Sequence, residues 1–409
     1  MLSDNRGSSF ILVDTGDCSI YIERKTVMKK IVTILLALLC VFAMTACNGG
    51  SSDNGGGSEG SDTAAIKIGG SGPLTGAAAQ YGIAVKTGAE IAVEEINALG
   101  GLQLELKVLD DEHDGEKAVN CYAQLVDWGM QASMLCVTTG PSLAVAGQYQ
   151  EDGYFAMTPS GSAQDIIDTG DGIFRMCFAD PEQGVAAADY IAEHALGTKV
   201  AVYVKTDDAY SSGVAETFMA EASVKGLEVV NEYGFTSDNA TDFPVVEDAE
   251  VVFLPLYYED DTRIIKAFQD AGLTPVFFGV DGFDGALEQE GVDPAMFEGV
   301  YYLTPFAYSA ADDATKSFTA KFNEKVGNNP NQFAADGYDV IWAIYNALVA
   351  GGATADMSAE EVGVLLKEQF KTLTYSGLTG ENMTWDASGA VVKAPLVFRI
   401  EGGALVAAN

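Results

Sequence analysis

From Ile66 to Phe306, short runs rich in β-branched and aromatic residues alternate with helix-length amphipathic segments, and this alternation narrows the fold more than any other feature. The first series reads "IKIGG", a helix over 81–98, "LQLELKVLDD", a helix over 116–129, "SMLCVTTG", a helix over 142–150 and "YFAMTPS". Strands separated by helices, rather than by two-residue turns, predict a parallel sheet with covering helices, hence an α/β fold. Within 81–98, Tyr81, Val85, Ala89, Ala92 and Ile96 form one apolar stripe, and Lys86, Glu90, Glu94 and Asn97 form the polar track. Gly100 and Gly101 then supply a stop.

A second series starts at "DPEQGVAAADYIAEHAL", where Asp180 is expected to cap a helix with Pro181 at its first position. It continues "KVAVYVKTD", a helix over 211–225, "LEVVNEYGF", "EVVFLPLYY", a helix over 260–271, "PVFFGVD" and "GVYYLTPF". Three more helices are predicted at 312–326, 332–350 and 359–370, followed by a strand-and-turn tail. A chain of 409 residues exceeds one compact core, and 48% hydrophobic residues suffice for two, so two Rossmann-like lobes are expected. No period of 20–50 residues is present, which excludes a solenoid.

The N-terminus reads as export machinery. From Met28, "MKKIVTILLALLCVFAMTAC" joins two lysines, an apolar stretch of signal-peptide length and small residues ending at Cys47. Residues 1–27 precede that signal, so Met28 is the expected true start and 1–47 a mis-assigned start plus signal peptide. The "MTAC" ending resembles a lipoprotein lipobox, with Met44 where leucine is commoner, and it makes Cys47 the expected lipidation site. Residues 48–63 are rich in Gly, Ser and Asp and are expected to form a flexible tether. Past the signal only Cys121, Cys136 and Cys177 remain, so at most one disulfide forms, and buried thiols are the alternative. A formal net charge of −37 repels nucleic acid and anionic membrane surfaces.

Several chemistries fail on spacing. In "GGSGPLTGAAAQYG", Gly70 and Gly72 fit a dinucleotide fingerprint, but Thr75 holds its third glycine position, and no lysine lies between Lys67 and Lys86 for a P-loop. "DDEHDGE" at 110–116 begins like an EF-hand, but its twelfth position is Cys121, and His113 has no second histidine nearby. That segment is expected to be a solvated acidic turn. With two histidines and no G-x-S-x-G, nothing marks a nucleophile, so the chain is expected not to be an enzyme and to use no cofactor or metal.

The runs "IKIGGSGPLTGAAAQYG", "TGAEIAVEEINALGG", "LDDEHDGEKAV", "MTPSGSA", "FRMCFADPEQGVAAADYI", "VYVKTDDAYSSG" and "IIKAFQDAGLTPVFFGVDG" together resemble the Leu/Ile/Val-binding family of ABC-transporter solute-binding proteins. The resemblance spans about 64–400 and implies the type I periplasmic-binding-protein fold. Its two lobes would be 64–178 with 308–384 and 179–307 with 385–409, joined by crossings near Cys177–Pro181, Leu303–Ala307 and Met383–Asp386. The ligand would lie between them. It also implies ligand contacts at Thr139 and Gly140, at Ser160, Gly161 and Ser162, and at Asp281 as the acid for an ammonium. Tyr81, Tyr210, Tyr257 and Phe333 would form the cleft walls.

Two departures stand out. His113 and Thr138 occupy the positions of the family archetypes' cysteine pair, and the helix expected between "TDF" and "EVVFLP" is replaced by a short segment starting at Pro244. The resemblance implies a monomeric, lipid-anchored extracytoplasmic protein that captures a small amino acid, aliphatic or branched-chain, for an ABC permease. The alternatives are another small ligand on the same fold (an aromatic acid, an amide or a peptide) or a ligand sensor for a membrane signalling partner.

Overall fold

The computed structural model describes residues 64–393 and 395–408, so the expected start at Met28, the signal, Cys47 and the tether lie outside the described residues. The first sheet runs β2-β1-β3-β4-β5 and is wholly parallel, built from β1 (Ala65–Gly72), β2 (Gln103–Asp110), β3 (Ala132–Cys136), β4 (Ala156–Thr158) and β5 (Ile173–Arg175). One face is covered by α1 (Ala79–Ala98), with the later helices α8 (Asp313–Val326), α9 (Gln332–Gly351) and α10 (Ala359–Phe370) on that side. The other face carries α2 (Gly115–Trp128), α3 (Thr139–Glu151) and the short α4 (Gln164–Ile167). The stripe Tyr81, Val85, Ala89, Ala92 and Ile96 is buried, as its spacing requires.

In the second lobe the sheet order is β12-β11-β10-β9-β8-β6-β7. Its strands β6 (Lys199–Lys205), β7 (Glu228–Phe235), β8 (Val251–Leu254), β9 (Val276–Gly279) and β10 (Tyr301–Leu303) are parallel. The hairpin β11 (Val397–Glu401) and β12 (Ala404–Ala407) adds an antiparallel edge. Helices α5 (Asp180–Glu193) and α6 (Ala209–Lys225) bury Ala187, Ile191, Val214 and Phe218 on one face, and α7 (Tyr258–Asp270) buries Ile264, Ile265 and Phe268 on the other. Two Rossmann-like lobes joined by three crossings are therefore present.

Three sequence expectations need correction. The third crossing does not fall at Met383–Asp386, because the chain stays with the first lobe through Val391. Trp385 Nε1 donates to the Arg175 carbonyl at 2.9 Å and the Gly389 carbonyl accepts from Arg175 N at 3.0 Å, which keeps this stretch on the edge of β5. Asp180 is the first residue of α5, not its cap. The helix start is satisfied by the Glu182 carboxylate, which accepts from Ala179 N at 2.7 Å. The acidic turn is not simply solvated. Asp110 accepts from Leu74 N and Thr75 Oγ1, the fully buried Asp111 accepts from Ser71 Oγ and His113 N, and Asp114 caps α2 through Lys117 N.

The segment between β7 and β8 contains no helix. Phe243 packs edge-on to Phe235 at 5.0 Å, and Tyr203 donates its hydroxyl to the Pro244 carbonyl, so an irregular plug covers this part of the sheet. Cys121, Cys136 and Cys177 are all free and buried.

The opening glycine loop serves backbone packing. A Cβ on Gly82 would lie 2.0 Å from the Pro73 carbonyl oxygen, and nearly two turns further on, a Cβ on Gly88 would lie 1.9 Å from that of Ala334 in α9. Helix α1 can approach α9 this closely only without that side chain. Gly88→Ala is therefore expected to cost about 1–3 kcal/mol in chemical denaturation, whereas Gly147→Ala, in α3 with no atom within 4 Å of the new methyl, should gain about 0.5–1 kcal/mol. Equal melting behaviour for the two variants would contradict this packing.

Candidate functional site

The C-terminal ends of the parallel strands of both sheets meet at a narrow, nearly filled pocket. From the first lobe it is lined by Tyr81 near the start of α1, Val137, Thr138 and Thr139 where β3 gives way to α3, Ser160 after β4, and Phe333 in the first turn of α9. From the second lobe it is lined by Tyr210 in the first turn of α6, Tyr257 before α7, and Asp281 with Gly282 after β9.

The first-lobe side is braced by hydroxyl bonds between neighbouring loops. Ser160 Oγ donates to the Val137 carbonyl at 2.6 Å, Thr158 Oγ1 to the Cys136 carbonyl at 2.8 Å, and Thr139 Oγ1 accepts from Ser162 N at 3.2 Å. Gly161 N donates to Thr158 Oγ1 at 2.7 Å. Arg175, 1% exposed, donates through Nη1 to the Ser162 and Ala163 carbonyls at 3.0 and 3.3 Å and so pins the same loop from behind. The leading amides of α3 have no acceptor within their own helix, and with the helix dipole they offer donors to a carboxylate at the pocket.

The second-lobe side centres on Asp281, which is 3% exposed. Tyr210 donates its hydroxyl to Asp281 Oδ1 at 2.5 Å while accepting from Gly282 N at 2.9 Å, and Tyr257 stacks on Tyr210 with ring centroids 5.0 Å apart. Burial pushes the Asp281 carboxyl up to about 6, with the Tyr210 hydroxyl the main counterweight. Nearby Asp180 is pushed up to about 8 by burial.

Four bonds tie the lobes together around this pocket. Tyr81 donates its hydroxyl to the Gly282 carbonyl at 2.5 Å and accepts from Tyr258 N at 3.0 Å. Gln332, at the start of α9, donates Nε2 to the Asp281 carbonyl at 2.9 Å and its own N–H to Asp284 Oδ2 at 2.8 Å.

The residues proposed from the sequence thus divide. Tyr81, Thr139, Ser160, Tyr210, Tyr257, Asp281 and Phe333 come together at one pocket, whereas Gly140, Gly161 and Ser162 sit beside it without lining it. The Ser162 hydroxyl is buried and has no partner. Sequence reasoning missed Val137 and Gly282, which carry no polar side chain to mark them, and Thr138, noted only as the counterpart of a cysteine. It also missed Arg175, which braces the Ser162 loop from β5, and Gln332, whose partners lie about fifty residues away in the chain. No group of three or more His, Cys, Asp or Glu that could hold a metal ion occurs among the described residues.

Comparison with known proteins agrees with this architecture. The sequence profile of the family described as "Periplasmic binding protein" matches residues 65–404. The chain is 30% identical over 329 residues to "Leu/Ile/Val-binding protein homolog 3" of Brucella melitensis, covering 76% of this chain and 87% of that one. Among solved structures it is similar to the branched-chain amino acid transporter substrate-binding protein LivJ of Streptococcus pneumoniae in complex with isoleucine. That match has a TM-score of 0.75 and 25% identity, over 84% of this chain and 98% of the other. A solute-binding protein of an R. palustris ABC transporter, in complex with benzoate, shares the fold at a TM-score of 0.71 and 21% identity, over 84% of this chain and 95% of the other. The chain belongs to the branched-chain amino acid family of ABC-transporter solute-binding proteins, which bind ligands and are not enzymes.

Proposed function

We propose that this protein captures a small aliphatic amino acid between its lobes, outside the cytoplasm, and delivers it as a monomer to an ABC permease. The observation that carries the proposal is Asp281, a buried carboxylate lining the pocket across from the start of α3. A zwitterion fits both ends: the ammonium meets Asp281, and the carboxylate meets the Thr139 hydroxyl and the leading amides of α3, including Gly140. Ser160, with Gly161 and Ser162 behind it, supplies backbone and hydroxyl groups between them. Tyr81, Tyr210, Tyr257 and Phe333 give the side chain an apolar, tight enclosure. The S. pneumoniae relative was solved in complex with isoleucine, which supports a branched aliphatic ligand here. Benzoate carries no cation, so it would leave Asp281 buried against an anion.

Export and anchoring rest on the sequence. The signal-like segment from Met28 ending at Cys47 supports a lipid-anchored protein, with 48–63 as the tether. Lipid on Cys47 is the only membrane attachment proposed.

Asp281→Asn is expected to weaken L-isoleucine binding by about 2–5 kcal/mol in calorimetry, because it leaves the ligand ammonium unpaired in a buried site. Unchanged affinity would overturn the assignment. The ammonium needs the ionised carboxylate, so affinity should hold above about pH 6 and fall as the pH drops below it.

Ligand-free stability should run the other way. Asp180, Asp281, Asp284 and Asp336 are raised to about 8, 6, 7 and 7 in the folded protein, above the unfolded carboxylate at about 3.9. Between those values the folded state holds more protons than the unfolded one, so stability declines as pH rises. Carboxylates held low by hydrogen bonds, such as Asp110 and Asp386, contribute equally across this range. The melting temperature without ligand should be higher at pH 5 than at pH 8, and a flat or rising profile would contradict the burial of these acids.

A further inference from the structure

The acidic turn after β2 does more than cap helices. Its His113 belongs to the first lobe, yet Nε2 lies 3.5 Å from Asp208 Oδ2 in the second lobe, and the ring meets Tyr257 edge-on at 5.5 Å and 88°. On the other side, Nδ1 is 2.9 Å from Thr138 Oγ1, which lines the pocket. This ring therefore touches both walls of the cleft.

The turn is built to hold the ring there. His113 sits at φ 61°, a left-handed conformation that histidine, like asparagine and aspartate, adopts more readily than most residues. Its N–H is fixed by Asp111 Oδ1 at 3.0 Å, and Asp111 is in turn held by Ser71 Oγ at 2.8 Å. Asp208 is equally fixed, since it caps α6 by accepting from Ser211 N at 2.9 Å. The ring can serve both contacts at once: with its hydrogen on Nε2 it faces the Asp208 carboxylate across 3.5 Å, while Nδ1 accepts from the Thr138 hydroxyl. Beyond the ring, contact passes inward from Tyr257 to the stacked Tyr210, and from the Tyr210 hydroxyl to Asp281.

We propose that His113 is a positioning residue of the binding cleft: it clasps Asp208 and Tyr257 of the opposite lobe at the cleft mouth, holding closed the aromatic wall that carries Asp281. The sequence assigned this residue no role beyond the turn, and its position relative to Thr138 gives it the place of a disulfide partner in the archetypes. Here the pair is a hydrogen bond instead, which frees the second ring nitrogen to reach across the cleft. A clasp made only in the closed state slows ligand release and leaves entry little changed. The inference uses the proposed function only in its choice of probe.

Two variants preserve the local fold. His113→Asn suits a left-handed backbone but is too short to reach Asp208, and Asp208→Asn keeps a good helix cap without the charge. In stopped-flow measurements with L-isoleucine, each should speed dissociation about three- to tenfold and change association by less than about twofold. The double variant should release ligand no more than about twofold faster than the faster single variant, because both remove the same contact. Unchanged dissociation, or effects that multiply in full, would overturn the clasp.

A second readout does not depend on affinity. The chain contains two histidines, so the ring signals of His113 and His194 can be separated by NMR, with His194→Gln as the assignment control. Asp208→Asn should move the His113 ring signals either without ligand or in millimolar L-isoleucine. Signals unmoved in both conditions would overturn the proposal. If L-isoleucine fails to bind the unaltered protein, the proposed function falls, and the NMR result alone decides the clasp.

Discussion

The Tyr81 hydroxyl is the joint on which the closed cleft depends. It is fully buried, donates to the Gly282 carbonyl and accepts from Tyr258 N, so a single oxygen on the first lobe satisfies two backbone groups on the second. Each such bond contributes about 1 kcal/mol net, but leaving buried groups unpaired costs more, which makes the arrangement close to all-or-none. Its position is set by α1, whose close approach to α9 at Gly88 fixes where Tyr81 stands and brings Phe333 to 4.3 Å from its ring. The glycine-rich stretch that begins the domain is thus a packing device that delivers one tyrosine to the cleft.

Under the proposed function, electrostatics supplies the reason for binding. Asp281, Asp180 and Asp284 are buried close together in a chain that is already strongly acidic, and burial pushes each of them toward the neutral form. An ammonium placed beside Asp281 would relieve that cost, and the relief is available only when both lobes enclose the ligand. Ligand binding and closure then stabilise each other. The same acids explain why the ligand-free protein should prefer mildly acidic solution.

Much of this was legible in the sequence, for identifiable reasons. Helix positions followed from apolar spacing, as in Tyr81 to Ile96, because local periodicity reports which face is buried. The missing helix before β8 was visible from length and from Pro244. Asp281 and the aromatic walls were found through similarity of short runs. What escaped were contacts between residues distant in the chain. The pairing of Trp385 and Gly389 with Arg175 shifted the third crossing, Glu182 rather than Asp180 capped α5, and Gln332 reached across to Asp281. No local pattern encodes such partners, and backbone contributors such as Gly282 carry no side-chain chemistry to flag them.

The most direct test of ligand-coupled closure across Tyr81 is small-angle X-ray scattering during titration with L-isoleucine, on the unaltered protein and on Tyr81→Phe. The radius of gyration of the unaltered protein should fall as the site fills, and Tyr81→Phe, lacking two cross-lobe bonds, should need about ten- to thirtyfold more isoleucine for the same change. A radius that does not respond to the ligand, or titration curves that superimpose for the two proteins, would contradict it.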